Sequence, residues 1–198
     1  GMFRHLVAVG CVVVIGLPVM VPSAGVAADA ECQREVVLGK SRLGSPIVAC
    51  QLRGSDPAVK RPLLVVGSMH GTETAGMDVV SRLMQRDVTG LGANVWVVRS
   101  VNPDGVAAGS RGNARGVDVD ANFPTAGWKE RAKGTADWGG PKASSEPETR
   151  ALMKAVSKLR PKQAVVFHQD LGVINCPPYR SKSLAKRLHS LTGYPYKC

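Results

Sequence analysis

His70 and Glu73 stand three residues apart in GSMHGTETAG (67–76), a segment that directly follows the apolar run PLLVV. An imidazole and a carboxylate so close together, just past a buried strand, could form part of a catalytic zinc site, which takes three protein ligands. The alternative is an ordinary strand-to-helix turn whose polar residues bind nothing. The pair therefore needs a third ligand from another part of the chain before it indicates a metal site.

His168 is the candidate for that third ligand, because it ends another apolar run, QAVVF. Ligand sites in α/β proteins gather at the carboxyl ends of strands, where residues from separate strands can meet. Two histidines and one glutamate are a known catalytic zinc set, and the metal lowers the pKa of a bound water to about 7. Of the other histidines, His5 lies in an N-terminal apolar segment and His189 in a basic helix.

Alternating strands and helices would position these residues. Strands are predicted in REVVLGKSRLGSPIVACQL, as a hairpin, and in RPLLVV, ANVWVVRSV and QAVVF. Helical spacing marks three later segments, one of which has Ser145 and Glu148 as a predicted capping box and Pro147 in its first turn. This order predicts an α/β fold with a mixed, mostly parallel sheet flanked by helices.

A polar, Gly-rich segment follows the fourth predicted strand and precedes the fifth, from NPDG at residue 102 to WGGPKA at residue 143. Its first residues predict a turn by composition. A segment of this length is too long for a plain connection in a compact domain, so we expect it to be a functional loop.

Composition and charge limit the classes of function. The chain has 198 residues, enough for one domain, and a formal net charge of +11. Nucleic-acid binding is disfavoured, because only 5% of the residues are aromatic and they do not alternate with basic residues. Attraction to anionic cell-wall polymers or acidic peptides is the simpler interpretation of the charge.

Residues 1–30 have the pattern of a secretory signal peptide, with Arg4, a long apolar run and the small-residue stretch PSAGVAADA. We expect cleavage near residues 28–30 and an exported domain at 31–198, either secreted or in the periplasm and cell wall. The alternative is a retained membrane anchor. Pro18 and Pro22 interrupt the apolar run, which is shorter than the ~20 residues that span a bilayer, so no retained span is predicted.

Four cysteines remain in the exported part: Cys32, Cys50, Cys176 and Cys198. An even number in an oxidising compartment predicts disulfides, for which three pairings are possible. Cys32 and Cys50 flank the predicted hairpin, so Cys32–Cys50 with Cys176–Cys198 is the economical choice. Zinc binding by cysteine is the alternative, but no Cys-x-x-Cys spacing supports it.

Five motifs occur in the order and spacing of one known family: HGTE, NPDG, RGNARGVDVDANFP, GPKASSEPETRAL and VVFHQD. From about residue 33 to the C-terminus the chain resembles the zinc carboxypeptidase superfamily, most closely its bacterial murein peptide amidases. The resemblance implies that His70, Glu73 and His168 bind zinc. It also implies that Arg111 stabilises the oxyanion of the tetrahedral intermediate, as a guanidinium aimed at developing negative charge can do.

The resemblance places Asn113, Asp120, Ala121 and Asn122 along the substrate. Members usually read GVDLNRNFP, where an Asn-Arg pair binds a substrate carboxylate, but this chain reads GVDVDANFP with Asp120 and Ala121 at those positions. A carboxylate accepts hydrogen bonds and cannot replace a guanidinium fork. We therefore expect a substrate whose local carboxylate is amidated or that presents an amine. The alternative is a pocket that has lost its function.

Two further acids have expected supporting positions. Asp118 is expected to accept from the ring N–H of a zinc-binding histidine, and Asp170 is expected to support the site from the position two residues past His168. The general-base glutamate that members carry on a late strand is missing, because residues 169–198 contain no glutamate. The chain also stops before the last strand and helix of the family fold, which predicts a C-terminally truncated fragment or a natural short form.

The function that follows is that of an exported, zinc-dependent amidase acting on amide bonds of cell-wall peptides, such as the γ-D-glutamyl–diaminopimelate bond. A catalytically impaired module that binds murein peptides or zinc is the alternative from another class. A plain carboxypeptidase is a third possibility, disfavoured by the missing Asn-Arg pair.

Overall fold

The apolar segments of the chain form a five-stranded sheet in a computed structural model that describes residues 32–169, 172–176 and 181–198. Its strands are β1 (Arg34–Lys40), β2 (Pro46–Gln51), β3 (Leu63–Val66), β4 (Val95–Val98) and β5 (Gln163–Val166). Their order is β1-β2-β4-β3-β5. Strand β3 pairs in parallel with β4 and β5, whereas β2 pairs antiparallel with β1 and β4. The prediction of a mixed α/β sheet is therefore confirmed.

Helices α1 (Ala75–Met84) and α3 (Pro147–Leu159) cover the two faces of this sheet, and the chain also forms α2 (Pro103–Ala108) and α4 (Lys182–Thr192). Successive residues of β3 point to opposite faces: Leu64 and Val66 pack in a core with α3, and Val65 packs in a second core with Val80 of α1. Burial on both faces explains why β3 reads as a continuous apolar run.

The C-terminal residues form a small separate unit, which sequence reasoning did not predict. Strands β6 (Ile174–Asn175) and β7 (Tyr196–Lys197) pair in parallel on either side of α4, around a core of Ile174, Cys176 and Ala185. Phe167 packs against this core and against the core that contains α1. Helix α4 ends at Gly193, whose φ of 75° suits a residue without a side chain.

Both predicted disulfides are present. Cys32 pairs with Cys50 across the β1–β2 hairpin, with Cα atoms 5.4 Å apart. Cys176 pairs with Cys198 between the ends of β6 and β7, with Cα atoms 4.6 Å apart. Both separations lie in the range that a disulfide requires. The alternative of zinc binding by these cysteines is excluded, because all four sulfurs are paired.

Two local predictions were wrong. NPDG does not form a plain turn but begins helix α2, because the Asn102 side chain accepts a hydrogen bond of 3.0 Å from the N–H of Gly105. Ser145 and Glu148 do not form a capping box: the N-cap of α3 is Glu146, which makes no capping bond with its side chain. Glu148 is fully buried and instead accepts from the N–H of Arg42 at 2.7 Å. A distant donor thus displaces the local one.

Two predictions concern residues outside the described ranges. They are the signal peptide at residues 1–30 and the supporting position of Asp170. Within the part of the chain that the structure describes, no helix has the length and apolar character needed to cross a membrane.

Candidate metal centre

His70, Glu73 and His168 come together at the carboxyl ends of two neighbouring parallel strands. Val66 of β3 lies opposite Val166 of β5, so the segments that follow the two strands leave the sheet side by side. His70 and Glu73 are almost completely buried, and 12% of the His168 side chain is exposed. Backbone contact with helix α2 fixes the turn, because a Cβ on Gly71 would overlap the backbone of Gly105.

One atom of each residue points to the same place. Nδ1 of His70 lies 3.0 Å from Oε2 of Glu73, and Nδ1 of His168 lies 2.9 Å from the same oxygen. The two Nδ1 atoms are 3.2 Å apart. Bonds of about 2.0–2.1 Å around a tetrahedral zinc separate its ligand atoms by about 3.3 Å, so these distances are only slightly shorter than zinc requires. The three residues could therefore hold a metal ion.

The hydrogen bond to Asp118 determines which ring nitrogen of His70 faces Glu73 and His168. Nε2 of His70 lies 3.0 Å from Oδ1 of Asp118. An aspartate accepts only, so Nε2 carries a proton, and Nδ1 is the nitrogen that donates to Glu73 while protonated and can bind a metal once deprotonated. A carboxylate that orients a histidine in this way is the usual companion of a zinc-binding imidazole. The donor set, two imidazole nitrogens and one carboxylate oxygen, also suits zinc.

Arg111 joins the two carboxylates. Its Nη1 donates to Oε1 of Glu73 at 2.8 Å, and its Nη2 donates to Oδ2 of Asp118 at 3.0 Å. Oδ1 of Asp118 also accepts from the backbone N–H groups of Asp120 and Ala121 at 2.9 and 3.1 Å. Asp118 therefore links His70, Arg111 and the 120–121 backbone. We call His70, Glu73, Arg111, Asp118 and His168 the ligand cluster.

Charges within the ligand cluster shift several pKa values. Burial by itself would lower the pKa of His70, but its hydrogen bonds to Asp118 and Glu73 outweigh burial and raise the pKa to about 9. Burial would raise the pKa of Asp118, but the hydrogen bond from His70 lowers it to about 2. The pKa of Glu73 is lowered well below its usual range, because hydrogen bonds from His168 and His70 overcome the effect of burial. Both carboxylates are ionised at neutral pH.

Asn102 supports the cluster from helix α2 and was not among the predicted site residues. It is completely buried, and its Nδ2 donates to the carbonyl of Arg111 at 3.4 Å while its Oδ1 caps α2. The N–H of Gly71 donates to the same carbonyl at 3.3 Å. The NPDG motif was the signal for this role, since an Asn before Pro at a helix start is a common N-cap.

The four residues predicted along the substrate separate into two pairs. Asn113 and Asn122 are buried and use their amides inside the protein. Asn122 donates to the carbonyl of Gly139 at 2.6 Å and accepts from the N–H of Glu146 at 3.1 Å. Asp120 is exposed and Ala121 is half-buried, next to Asp118. The structure thus puts the two asparagines in the support of the loop and leaves positions 120 and 121 at its surface.

A second group of buried carboxylates holds the long loop and was missed by sequence reasoning. Nδ2 of Asn113 donates to Glu146 at 2.9 Å and to Glu148 at 3.0 Å, and both glutamates are completely buried. We call Asn113, Glu146 and Glu148 the loop anchor. Sequence reasoning interpreted both glutamates as part of a helix start, because nothing in the sequence shows that the loop folds back onto them.

Comparison with known proteins agrees with this geometry. The zinc carboxypeptidase family profile matches residues 26–193, so the chain belongs to that family. It is 35% identical over 152 residues to murein peptide amidase A of Escherichia coli (strain K12), covering 70% of this chain and 60% of that protein. It is 33% identical over 170 residues to murein peptide amidase A of Vibrio campbellii, covering 79% and 65%. The chain spans 60–65% of the length of these relatives.

Solved structures show the same relationship. Murein-tripeptide amidase MpaA from Escherichia coli O157 matches with a TM-score of 0.69 at 31% identity, over 83% of this chain and 72% of that one. Carboxypeptidase A from Helicoverpa armigera matches with a TM-score of 0.60 at 20% identity, over 80% of this chain and 46% of that one, which is a likeness of fold alone. The resemblance to murein peptide amidases is therefore confirmed.

Proposed function

We propose that this chain binds zinc through His70, Glu73 and His168 and hydrolyses amide bonds in cell-wall peptides. The observation that carries the proposal is the convergence of two imidazole nitrogens and one carboxylate oxygen within 3.2 Å of one another. The names of the relatives supply the substrate class, since both are murein peptide amidases. The γ-D-glutamyl–diaminopimelate bond is the substrate we would test first.

Bound zinc would polarise a substrate carbonyl and lower the pKa of a water molecule. The residues of the chain prepare the place for this chemistry. Asp118 holds His70 with Nδ1 facing inward, where it can bind zinc once deprotonated, and Glu73 is kept ionised by its histidine neighbours. Arg111 is the proposed oxyanion donor: 42% of its side chain is exposed, and its guanidinium has five N–H groups, of which Glu73 and Asp118 engage two.

Asp120 and Ala121 would set the preference among substrates. The exposed carboxylate of Asp120 repels a free carboxylate and accepts from an amine or an amide NH₂. An amidated diaminopimelate in the wall peptide meets this requirement. Replacing Asp120 by Asn together with Ala121 by Arg should raise kcat/KM on the free-carboxylate peptide about tenfold relative to the amidated one. No gain on the free-carboxylate peptide would argue that the pocket does not select substrates in this way.

Metal content and hydrolysis test the proposal in two steps. Purified protein should bind one Zn²⁺, measured by elemental analysis and by competition with a chromophoric chelator, and His168→Ala should lose it. His189→Ala is the matched control, because His189 lies in α4 and its Nδ1 contacts the carbonyl of Tyr194. Chelator-sensitive release of diaminopimelate from a murein tripeptide would then support hydrolysis. A wild-type chain that binds no zinc would exclude the proposed site.

A binding module is the second candidate, and one observation favours it. Among the described residues, the carboxylates within the ligand cluster are Glu73 and Asp118, and both already accept from Arg111 and a histidine. Neither is free to take a proton from water, and general-base help is typically worth about 10²–10⁴ in rate. Zinc-dependent binding of a murein tripeptide without release of diaminopimelate would support the module over the enzyme.

Export to an oxidising compartment is the proposed setting. Two disulfides join the described cysteines, and disulfides persist mainly outside the cytosol. The net charge of +11 would also attract the protein to anionic wall polymers. Fractionation of the producing cell tests the first point. Release of the protein from isolated walls by salt tests the second, since screening weakens exposed charges.

A further inference from the structure

Gln169 follows the candidate ligand His168, and its side chain reaches the helix that follows Glu73. Its Oε1 accepts a hydrogen bond of 3.0 Å from the backbone N–H of Ala75, the first residue of α1. We propose that Gln169 is a positioning residue of the metal centre: by capping α1, it holds the His168 segment at a fixed distance from Glu73. This inference rests on the zinc site proposed above.

Helix α1 lacks a cap from its own sequence. The N-cap residue is Thr74, whose side chain makes no capping hydrogen bond and whose φ and ψ of −92° and −13° are helical. The first N–H groups of a helix have no partner within the helix, and a neighbouring Ser, Thr, Asp or Asn usually accepts from one of them. Here the acceptor comes from a residue 94 positions later in the chain.

Two cross-links therefore join the same pair of segments. The first is between Oε2 of Glu73 and Nδ1 of His168, 2.9 Å apart, and it runs through the candidate ligands. The second is between Ala75 and Gln169, and it runs through the helix N-terminus. Because Gln169 is bonded directly to His168, the second link fixes the backbone that carries the imidazole. The spacing of the two ligands thus has a support that does not depend on the ligands themselves.

The residue on the other side of His168 is fixed by packing. The N–H of Phe167 donates to the carbonyl of Val66 at 3.0 Å. The Phe167 side chain packs against Gly76, where an added Cβ would overlap both this ring and the carbonyl of Gly67. Phe167 thus holds the N-terminal side of His168 and Gln169 holds the C-terminal side. Removing the Gln169 acceptor therefore frees the C-terminal side of His168 and leaves the N-terminal side held.

A pair of substitutions at one position tests the inference. Gln169→Met keeps the length of the side chain and removes the acceptor, and we expect the dissociation constant for Zn²⁺ to rise about 10-fold or more, as for other residues that orient a zinc ligand. Gln169→Glu keeps an acceptor, which the positive end of the helix dipole favours, so its dissociation constant should stay within about threefold of wild type. Both constants are measured on the full chain by competition with a chromophoric chelator.

Two further measurements separate positioning from general stability. The absorption bands of the Co²⁺-loaded protein should change in Gln169→Met and persist in Gln169→Glu, because they report the ligand geometry. Asp56→Ala is the control, since it removes a comparable bond of 2.8 Å, from the N–H of Ala58, at an exposed site in the β2–β3 connection. It should lower the melting temperature slightly and leave zinc binding unchanged.

Three outcomes would overturn the inference. One is a Gln169→Met protein that is folded by circular dichroism and binds Zn²⁺ as wild type does. Another is an equal loss of affinity in Gln169→Glu and Gln169→Met. These two outcomes leave the proposed zinc site in place and overturn only the role of Gln169. The third is a wild-type chain that binds no Zn²⁺, which would overturn the proposed function and this inference together, so the two failures are distinguishable.

Discussion

Buried carboxylates occur in two groups of this molecule, and the groups differ in what faces each carboxylate oxygen. In the loop anchor every oxygen faces a donor: Glu148 accepts from the N–H of Arg42 at 2.7 Å and from Asn113 at 3.0 Å. Glu146 accepts from Asn113 at 2.9 Å and from Ser145 at 2.8 Å. In the ligand cluster, Oε2 of Glu73 faces two imidazole nitrogens, Nδ1 of His70 and Nδ1 of His168, which donate to it only while they carry protons.

The difference separates a structural group from a binding group. The loop anchor is satisfied by the protein alone, and such a group stabilises the fold at the position where it stands. The ligand cluster brings two imidazole nitrogens and one carboxylate oxygen to one point, and a cation that displaces the imidazole protons could bind all three. The molecule therefore contains buried carboxylates in two arrangements, and the groups that face them indicate which arrangement could hold a metal.

Glu73→Gln should have the largest effect of the three substitutions, because it removes the anionic ligand from the ligand cluster and weakens zinc binding. Zinc binding to small protein sites is worth about 10–16 kcal/mol, shared among the ligands, so losing the anionic ligand should weaken binding on the order of 10³-fold. The metal-free protein should lose about 1–3 kcal/mol, because the one acceptor oxygen of Gln cannot replace both carboxylate oxygens that accept from Arg111 and the two histidines. Chelator competition measures the first quantity and urea denaturation the second. Unchanged zinc affinity would contradict the assignment of Glu73.

Asn113→Leu should break the loop anchor and give the opposite result. It leaves two buried glutamates without their shared donor, so the free energy of unfolding should fall by about 3–5 kcal/mol. Zinc affinity of the folded fraction should change by less than about threefold, since the two groups use different side chains. Denaturation in urea tests the first expectation, and Asn175→Leu at an exposed position of β6 is the control. A large loss of zinc affinity with little loss of stability would reverse the comparison.

Asp118→Asn should have the smallest of the three effects and sharpens the comparison, because Asp118 orients a ligand without being one. Asp118 accepts from His70 with one oxygen and from Arg111 with the other, whereas Asn has only one acceptor oxygen. Zinc affinity should therefore fall about 10–100-fold. Asp137→Asn is the matched control, since Asp137 pairs with Arg131 at the surface, where such a pair is worth about 0.2–1 kcal/mol. Equal zinc affinity in the two variants would remove Asp118 from the site.

The sequence predicted those parts of the molecule that depend on local pattern. Apolar runs gave β3, β4 and β5, and the ends of these strands gave the places of His70 and His168. The resemblance to the family supplied Arg111 and Asp118, whose contacts the structure then shows. Spacing alone could not have found them, because they come from a long loop with no period.

The parts that escaped prediction depend on contacts distant in sequence. Glu148 fits a capping box by local rules, but its partner Arg42 is 106 residues away. Gln169 and its partner Ala75 are 94 residues apart. The short strands β6 and β7 have two residues each, too few to show an alternating pattern. In each case the competing partner becomes visible only when the chain is folded.

The small C-terminal unit has a core of its own, so we expect it to open separately from the sheet. Ala185 is the buried residue of α4, and among the described residues this core contains three buried side chains, so we expect its amides to exchange with solvent more readily than those of β3 and β4. Phe167 belongs to both units and directly precedes His168. The proposed third ligand therefore lies between the sheet and this unit, and we expect the lifetime of the complete ligand set to follow the opening of the weaker of the two.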